Sequence, residues 1–259
     1  MIERSRRSKN GTKLLVQFTD EELALFGAEH PVVDAPYLSG LDEAQRQLAV
    51  QVAYRSLCSH GAVAVNGGTG MELPESVVTM LQVRSSAKVA LLISKSTGDI
   101  GVLRYHHFGA DVVVIEDVTD DGAHQFRLIS HDELPDEIDA FCAVDGAADG
   151  HGASLTLTAD SFASGRLARD LWGEGVAQFD ATVWRATSDG SDGQLLLGFL
   201  LGTSGSWSSR RVLAPLEGGE QLVQVEPVQA RQVGDLIIKE LLSEEGTDLI
   251  PDEWHLMRT

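Results

Sequence analysis

The sequence predicts an α+β fold in which two halves, related by a pseudo-two-fold axis, form one twisted, mainly antiparallel sheet with flanking helices. Three observations support this prediction. The order helix, three or four apolar strands, closing helix occurs in Glu72–Val144 and again in Thr158–Ser243. Short turns containing Gly and Asp separate the strands, which favours antiparallel neighbours. The 259 residues, 43% of them hydrophobic, suffice for a full core.

The two passages repeat a pattern rather than a sequence. The closing part of the first, His124–Phe141, aligns with Glu220–Ile237 at a constant offset of 96 residues. The only identical pairs are Gln125 with Gln221 and Asp139 with Asp235. Because each half would leave strand edges open, we expect the halves to join into a single sheet.

We divide the chain into four segments. Residues 1–13 form a basic head, which we interpret as a solvated, disordered tail. Residues 14–144 form an N-terminal half that begins with a small helical cap. Residues 145–157, which contain the run Asp145–Gly152, form a polar, Gly-rich linker. Residues 158–259 form the C-terminal half.

The elements of the N-terminal half follow in order. A short strand at Leu14–Phe18 leads to Thr19, which has capping-box spacing to Glu22 and predicts the start of a helix. A second helix fits Asp42–Ser59, and a third begins near Pro74. The strands and closing helix are predicted at Val89–Ser94, Gly101–His107, Ala110–Val118, His124–Ser130 and Asp136–Ala143.

The C-terminal half repeats this order. We predict a helix at Thr158–Trp172, followed by strands and a closing helix at Ala177–Thr187, Gln194–Gly202, Trp207–Pro215, Gln221–Pro227 and Gln229–Ser243. The run Leu195–Leu201 has no polar alternation, which predicts a central strand covered on both faces. In the helix at Asp42–Ser59, four apolar side chains are placed near one face, which is the expected buried face: Ala44, Leu48, Val52 and Leu57.

The charge distribution argues against nucleic acid as a main partner. The chain carries a net charge of −19, and the body after Lys13 holds 15 bases against 38 acids. Such a body repels phosphate backbones, whose binding depends on Lys and Arg. Arg6 and Arg7 are not followed by an apolar core, so no signal peptide is indicated, and no apolar run is long enough for a membrane span. Cys58 and Cys142 give no disulfide framework, and we predict a cytoplasmic protein with reduced thiols.

No residue pattern predicts a catalytic, cofactor or metal site. The loop Asn66–Gly70 lacks the third glycine of a dinucleotide-binding turn, and Gly202–Ser206 has its second glycine one place too early for a nucleophile elbow. His106 and His107 are adjacent and would point to opposite faces of a strand, and His124 has no ligand partner at a fixed spacing. We interpret the histidines as surface or rim residues, and the protein as a non-enzyme.

Three aromatic residues are the candidates for partner binding: Trp184, Phe199 and Trp207. All three lie in or beside strands of the C-terminal half, where core packing is the ordinary role. Recognition is the alternative, because Trp buries a large area with few rotatable bonds. Trp207 lies between serines at a strand start, so we expect it to be partly exposed.

The order of elements along residues 14–243, with the terminal strand and helix at Leu222–Pro227 and Leu236–Leu242, resembles the EspG family of actinobacteria. These are cytosolic specificity chaperones of type VII secretion. The resemblance implies an α+β fold of two pseudo-symmetric halves, no catalysis, and recognition of a helical secreted substrate of PE–PPE type. No binding residue is carried over from the family.

Two functional hypotheses therefore stand. The first is a non-enzymatic binding protein that shields a helical secretion substrate, for which a homodimer is possible. The second is a small-molecule-binding or enzymatic α+β protein that uses the cleft between the two halves, since ligands favour such junctions. Co-purification with a helical pair of exported proteins would favour the first hypothesis.

Overall fold

The structure is a computed structural model that describes residues 16–59, 64–65, 71–119, 122–164, 171–186, 192–211 and 221–242. The predicted basic head lies outside the described residues. The backbone divides into two compact units. Unit 1 comprises the described residues up to Ala90 together with Arg104–His131, and unit 2 comprises Leu91–Leu103 with the described residues from Asp132 onwards. The segment boundaries proposed from the sequence stay predictions.

Ten strands form one mainly antiparallel sheet, which confirms the predicted fold class. Across the sheet the strands are β1 (Val16–Thr19), β7 (Ala123–Ile129), β6 (Val113–Val118), β5 (Ile100–Phe108), β4 (Val89–Thr97), β9 (Gly175–Ala186), β10 (Asp192–Gly202), β11 (Ser206–Arg211), β12 (Leu222–Pro227) and β8 (Leu155–Thr158). A separate two-stranded sheet pairs β2 (Ala64–Val65) with β3 (Met71–Glu72).

Seven α-helices lie in the described part of the chain: α1 (Asp20–Leu25), α2 (Pro36–Ser39), α3 (Glu43–Ser59), α4 (Glu75–Ser86), α5 (Leu134–Cys142), α6 (Ala159–Ala163) and α7 (Val233–Leu241). Short 3-10 turns precede α5 and α7, at His131–Glu133 and Ala230–Gln232. Among these described segments, no helix has both the length and the apolar composition that crossing a membrane requires.

The closing elements recur at an offset of 99 residues. The strand, 3-10 turn and helix that begin at residues 123, 131 and 134 have counterparts that begin at 222, 230 and 233. The alignment at an offset of 96 is therefore wrong by three residues. Each closing strand also pairs with a short strand that ends in a helix-capping threonine, Thr19 or Thr158. The pseudo-two-fold relation itself stays a prediction.

The start of α1 is fixed by the predicted capping box. The Glu22 amide donates to Thr19 Oγ1 over 3.4 Å, and the Thr19 amide donates to Glu22 Oε2 over 3.0 Å. These bonds satisfy two backbone donors that a helix start leaves without partners. β1 pairs with β7 in unit 1, where Phe18 packs against Phe126 with ring centroids 6.1 Å apart.

Most of the α3 residues that the sequence predicts to be buried are exposed. The helix packs against α1 and buries Ala53 and Leu57, whereas Leu48 is 62% exposed and Val52 is 56% exposed. The prediction of burial is therefore wrong for Ala44, Leu48 and Val52 and is confirmed for Leu57. At 100° per residue Leu48 and Val52 lie on the far side of the helix from Leu57, so the contact with α1 leaves them in solvent.

In unit 2 helices α5 and α7 pack closely against each other. Gly234 permits this approach, since a Cβ atom there would lie 2.0 Å from Asp139 Oδ1. The aspartates that are identical in the sequence alignment, Asp139 and Asp235, lie on these two helices. Partial burial, together with the negative charge of Asp235, raises the pKa of Asp139.

Strand β10 is central in the sheet but is covered on one face only. Leu197, Phe199 and Leu201 are buried, whereas Leu196 is 42% exposed and Leu200 is half-buried. The prediction of a central position is confirmed, and the prediction that both faces are covered is wrong. Side chains alternate across a strand, so one face of this apolar run stays in contact with solvent.

Residues 148–150, in the predicted linker, belong to unit 2 and are hydrogen-bonded to other segments of that unit. The Gly150 amide donates to Val228 O over 2.7 Å, the Ala148 amide donates to Gly202 O over 2.9 Å, and Ser206 Oγ donates to Ala148 O over 2.6 Å. Strand β8 also begins within the predicted linker, at Leu155. This part of the linker therefore forms specific contacts with the strands of unit 2.

Substituting Gly150 with alanine is expected to destabilise the protein by about 1–3 kcal/mol, the ordinary cost of overpacking. The new Cβ atom would lie 1.9 Å from Ser206 O and 2.7 Å from the Val228 amide nitrogen, both backbone atoms. Urea unfolding measures the loss. Gly40→Ala is the matched control, because no atom lies within 4 Å of the Cβ position there. Equal midpoints for the two variants would contradict the prediction.

Candidate functional site

The three aromatic residues predicted to bind a partner are all buried. Trp207 is only 4% exposed, so the expectation that it is partly exposed is wrong. Its indole nitrogen donates to Leu171 O over 3.2 Å, and its ring packs with Val223 and Val225. Trp184 and Phe199 are also in the core of unit 2. Core packing, the ordinary role for such residues, therefore describes their present environment, and partner binding stays a prediction.

Phe199 nevertheless forms part of a groove in unit 2. The groove runs between α7 and strands β10, β11 and β12, and it has a volume of about 330 Å³. Its apolar lining is Leu197, Phe199 and Leu236, and its polar lining is Ser208, Ser209, Arg210, Gln224, Glu226, Lys239 and Glu240. A groove with an apolar floor and polar rim has the character of a recognition surface.

The groove carries charges of both signs. Arg210 forms a hydrogen-bonded ion pair with Glu240 across the rim, and Gln224 Nε2 donates to Glu226 Oε1 over 2.7 Å. Lys239 is exposed on α7 beside this pair. Two basic and two acidic side chains therefore surround the apolar floor, in a chain whose net charge is −19.

Unit 2 also exposes apolar side chains outside the groove. Leu196 projects from the open face of β10, and Ile100, which is 68% exposed, begins β5 after a turn at Gly98. Leu103, further along β5, is also exposed. Exposed apolar side chains on a sheet are candidates for contact with another protein.

A buried network of charged side chains lies in unit 1, and sequence reasoning missed it. Glu116, on β6, accepts two hydrogen bonds of 2.9 Å from the Arg84 guanidinium. The same carboxylate lies 2.7 Å from His107 Nε2 and 2.5 Å from His124 Nδ1. His124 Nε2 lies 2.7 Å from Asp20 Oδ1. The five side chains join β5, β6, β7, α4 and the start of α1.

The network shifts the acidity of its members. Burial acts to raise the pKa of Glu116, but the hydrogen bonds from His107 and His124 and the positive charge of Arg84 outweigh it and hold the pKa well below its ordinary value. Burial acts to lower the pKa of His124, but its bonds to Glu116 and Asp20 raise the pKa overall. Both His124 nitrogens lie within hydrogen-bond distance of carboxylate oxygens, and ionised carboxylates accept and do not donate, so this arrangement favours the doubly protonated, cationic ring.

The interpretation of the histidines as surface or rim residues is wrong for four of them, one of which is His30, at 5% exposed. His106, His107 and His124 are fully buried. Within the residues that the structure describes, no group of three or more His, Cys, Asp and Glu side chains is placed to hold a metal ion. The buried network thus joins elements of unit 1 by charged hydrogen bonds, and its members are withdrawn from solvent.

Among three comparisons with known proteins, the comparison with solved structures finds a match. No protein-family model matches the chain, and no curated protein matches it. Among solved structures, the chain is similar to EspG5, the type VII secretion system chaperone of Mycobacterium tuberculosis, in its complex with the PE25–PPE41 dimer. The similarity covers 88% of this chain and 96% of that chain, with a TM-score of 0.57 and 10% sequence identity. The chain has the fold of EspG5.

The likeness to EspG5 confirms the resemblance to the EspG family that the layout of elements indicates. It concerns the path of the backbone, because at 10% identity no side chain of EspG5 assigns a role to a residue here. The groove of unit 2 and the buried network of unit 1 are therefore considered from this chain's own contacts.

Proposed function

We propose that this protein is a non-enzymatic cytoplasmic chaperone that binds a helical secreted protein of PE–PPE type and shields its apolar surface before type VII secretion. One observation carries the proposal: the fold matches EspG5 over nearly the full length of both chains, and EspG5 is seen in complex with a PE25–PPE41 dimer. The alternative of a small-molecule-binding or enzymatic protein stays a prediction from the sequence.

The groove of unit 2 is the proposed contact surface for the secreted partner. A helix binds a groove through a few apolar anchors, and the half-buried Leu236, which lines the groove together with the buried Leu197 and Phe199, offers apolar surface for such an anchor. The charged rim, with Arg210 and Lys239, would orient the partner. In this proposal Phe199, which is 1% exposed, supports the contact surface from below, and the buried Trp184 and Trp207 act indirectly by fixing the strands.

The net charge fits the role of a carrier. A chaperone must bind an apolar surface without aggregating itself, and a net charge of −19 provides repulsion between copies. The secreted partner, in contrast, would aggregate through its apolar surface while unbound. The acidic body of the chaperone would therefore keep the complex in solution.

Co-expression with the PE–PPE-type pair encoded nearest to this protein's gene tests the proposal. We expect a stable complex that elutes as one species in size-exclusion chromatography, with each protein present. A chain that purifies alone under these conditions, with native circular dichroism, would contradict the proposed function. An unrelated helical bundle of similar size serves as the control partner.

Variants of the groove test the proposed contact surface. Ser208→Trp would fill the groove, and Lys239→Glu would reverse a rim charge, so we expect each to weaken partner binding by about tenfold or more. Titration calorimetry with the purified PE–PPE-type pair measures the dissociation constant. Arg231→Glu is the matched control, because Arg231 is an exposed base outside the groove. Unchanged affinity in both groove variants would contradict the groove as the contact surface.

A further inference from the structure

Helix α3 of unit 1 presents an unusual exposed surface. Of the nine large hydrophobic residues exposed in the described part of the chain, five lie between residues 37 and 54: Tyr37, Leu41, Leu48, Val52 and Tyr54. Isolated exposed apolar residues are normal, but this concentration in one short segment is not. The groove of unit 2 involves none of these residues.

The exposed residues form a stripe with the spacing of a helix–helix contact. Leu41, Ala44, Leu48 and Val52 are separated by three, four and four residues, and all four are exposed. Leu41 precedes the start of α3 at Glu43; at 100° per residue the other three fall within one narrow sector of the helix, opposite the buried Leu57. The stripe, defined here as Leu41, Ala44, Leu48 and Val52, therefore has the pattern of a two-helix seam.

The charges around the stripe fit a second copy of the same chain. Copies with a net charge of −19 repel each other, so a two-fold contact requires a patch that lacks unopposed acids. The exposed flanks of the stripe carry Gln45, Gln51 and Arg55, and its N-terminal end carries one exposed acid, Asp42, which a pairing has to oppose with a base. Arg46, the other base of α3, is paired with Glu29 of its own chain over 3.0 Å. The self-repulsion that opposes most pairings is thus weak on this face.

An antiparallel arrangement also brings opposite charges together. Asp42 caps the start of α3 by accepting from the Gln45 amide over 2.8 Å, and Arg55 lies near its end. The midpoint between Asp42 and Arg55 falls beside Leu48. Two helices related by a two-fold axis at Leu48 would therefore place each Asp42 near the partner's Arg55, with the macrodipoles opposed.

We propose that the stripe on α3 is the interface of an antiparallel homodimer in which Leu48 of one copy packs beside the two-fold axis. Helix α3 has 17 residues and is about 25 Å long. A seam of this length supports a reversible dimer rather than an obligate one. The contact does not depend on the proposed secretion partner.

Sedimentation velocity of the full chain over a range of concentrations tests the dimer. We expect the mass to rise from 27.8 kDa toward twice that value. The double variant Leu48→Glu, Val52→Glu places four carboxylates at the axis and should raise the dissociation constant by about a hundredfold or more. Ile100→Glu is the matched control, an equally drastic change at an exposed apolar residue of unit 2, and it should leave the dimer intact.

A disulfide cross-link tests the geometry. In a Cys58→Ser background, Leu48→Cys should form an intermolecular disulfide on mild oxidation, because the two copies of residue 48 are close only in a two-fold contact. Ile100→Cys should not. A monomeric wild type at all concentrations, or a dimer unaffected by the double variant, would overturn the inference.

The test separates this inference from the proposed function. A dimer that binds no PE–PPE-type pair would leave the inference standing and contradict the chaperone role. Conversely, a monomer in which Leu48→Glu, Val52→Glu abolishes binding of that pair would overturn the inference and assign the stripe to the secreted partner. Far-UV circular dichroism confirms that each variant is folded.

Discussion

Replacing Arg84 with methionine is expected to lower the free energy of unfolding by about 3–5 kcal/mol. The guanidinium donates two hydrogen bonds to Glu116, and both side chains are almost fully buried. It also donates to the Ala28 carbonyl oxygen, which would lose this partner. Methionine fills similar space but leaves a buried carboxylate without its nearest permanent cation. Urea unfolding followed by circular dichroism measures the loss.

Two further variants make the Arg84 result specific. Arg46→Met removes an ion pair of 3.0 Å with Glu29 in which both side chains are about half exposed, and it should cost less than about 1 kcal/mol. Adding Glu116→Gln to Arg84→Met should recover part of the loss, because the buried negative charge disappears while an amide oxygen remains near His124. Equal losses for Arg84→Met and Arg46→Met would contradict a buried-charge mechanism.

The network that these variants address could not be predicted from local sequence patterns. Its members come from five elements, and their separations in sequence correspond to no motif. His107 follows another histidine, and His124 follows a polar turn, so both fit the description of rim residues. One signal was present: Glu116 directly follows the apolar run Val113–Ile115, in which a charged residue needs a buried partner. The identity of that partner depends on tertiary structure.

More of the sheet than of the network can be predicted from the sequence, because strands are specified by local alternation and turn residues. The predicted central position of β10 and the capping box at Thr19 are both confirmed. The errors concern which faces are covered. Leu48 on α3 and Leu196 on β10 belong to apolar patterns that ordinarily indicate burial, and both are exposed. Whether a face is covered depends on neighbouring elements and on partners outside the chain, which local patterns do not specify.

The groove illustrates the same limit. Phe199 was a candidate from its residue type, and it does line the groove of unit 2. The groove exists only because α7 lies over strands β10, β11 and β12, so its rim residues Arg210 and Lys239 carry no signal in the sequence. Trp207 was favoured by its serine neighbours, but its ring fills the core beside Val223. Residue type therefore identifies one lining residue, whereas the other lining residues can be identified only from the topology.

The stability of the protein is expected to be highest near pH 6.5 and to fall on both sides. Burial, with the nearby charge of His107, lowers the pKa of His30 from 6.5 to about 4. The neutral ring uses both nitrogens, because the Val32 amide donates to Nδ1 over 3.3 Å and Nε2 lies 3.3 Å from Ala87 O. Between pH 6.5 and about 4 the unfolded chain therefore binds more protons at His30 than the folded chain, and stability decreases as the pH falls.

Glu116 and His124 set the limits of the pH range in which the protein is most stable. The lowered pKa of Glu116 contributes stability that is present above pH 4.5 and is lost as the pH falls through the pKa of the folded state. The raised pKa of His124 contributes stability that is complete below pH 6.5 and is lost as the pH rises through the pKa of the folded state.

Urea midpoints at pH 4, 6.5 and 8.5 measure this profile. His30→Gln should flatten the decline between pH 6.5 and 4, and His124→Gln should flatten the decline above 6.5. A wild-type midpoint that rises steadily from pH 6.5 to 8.5 would show that His124 is not cationic in the folded protein.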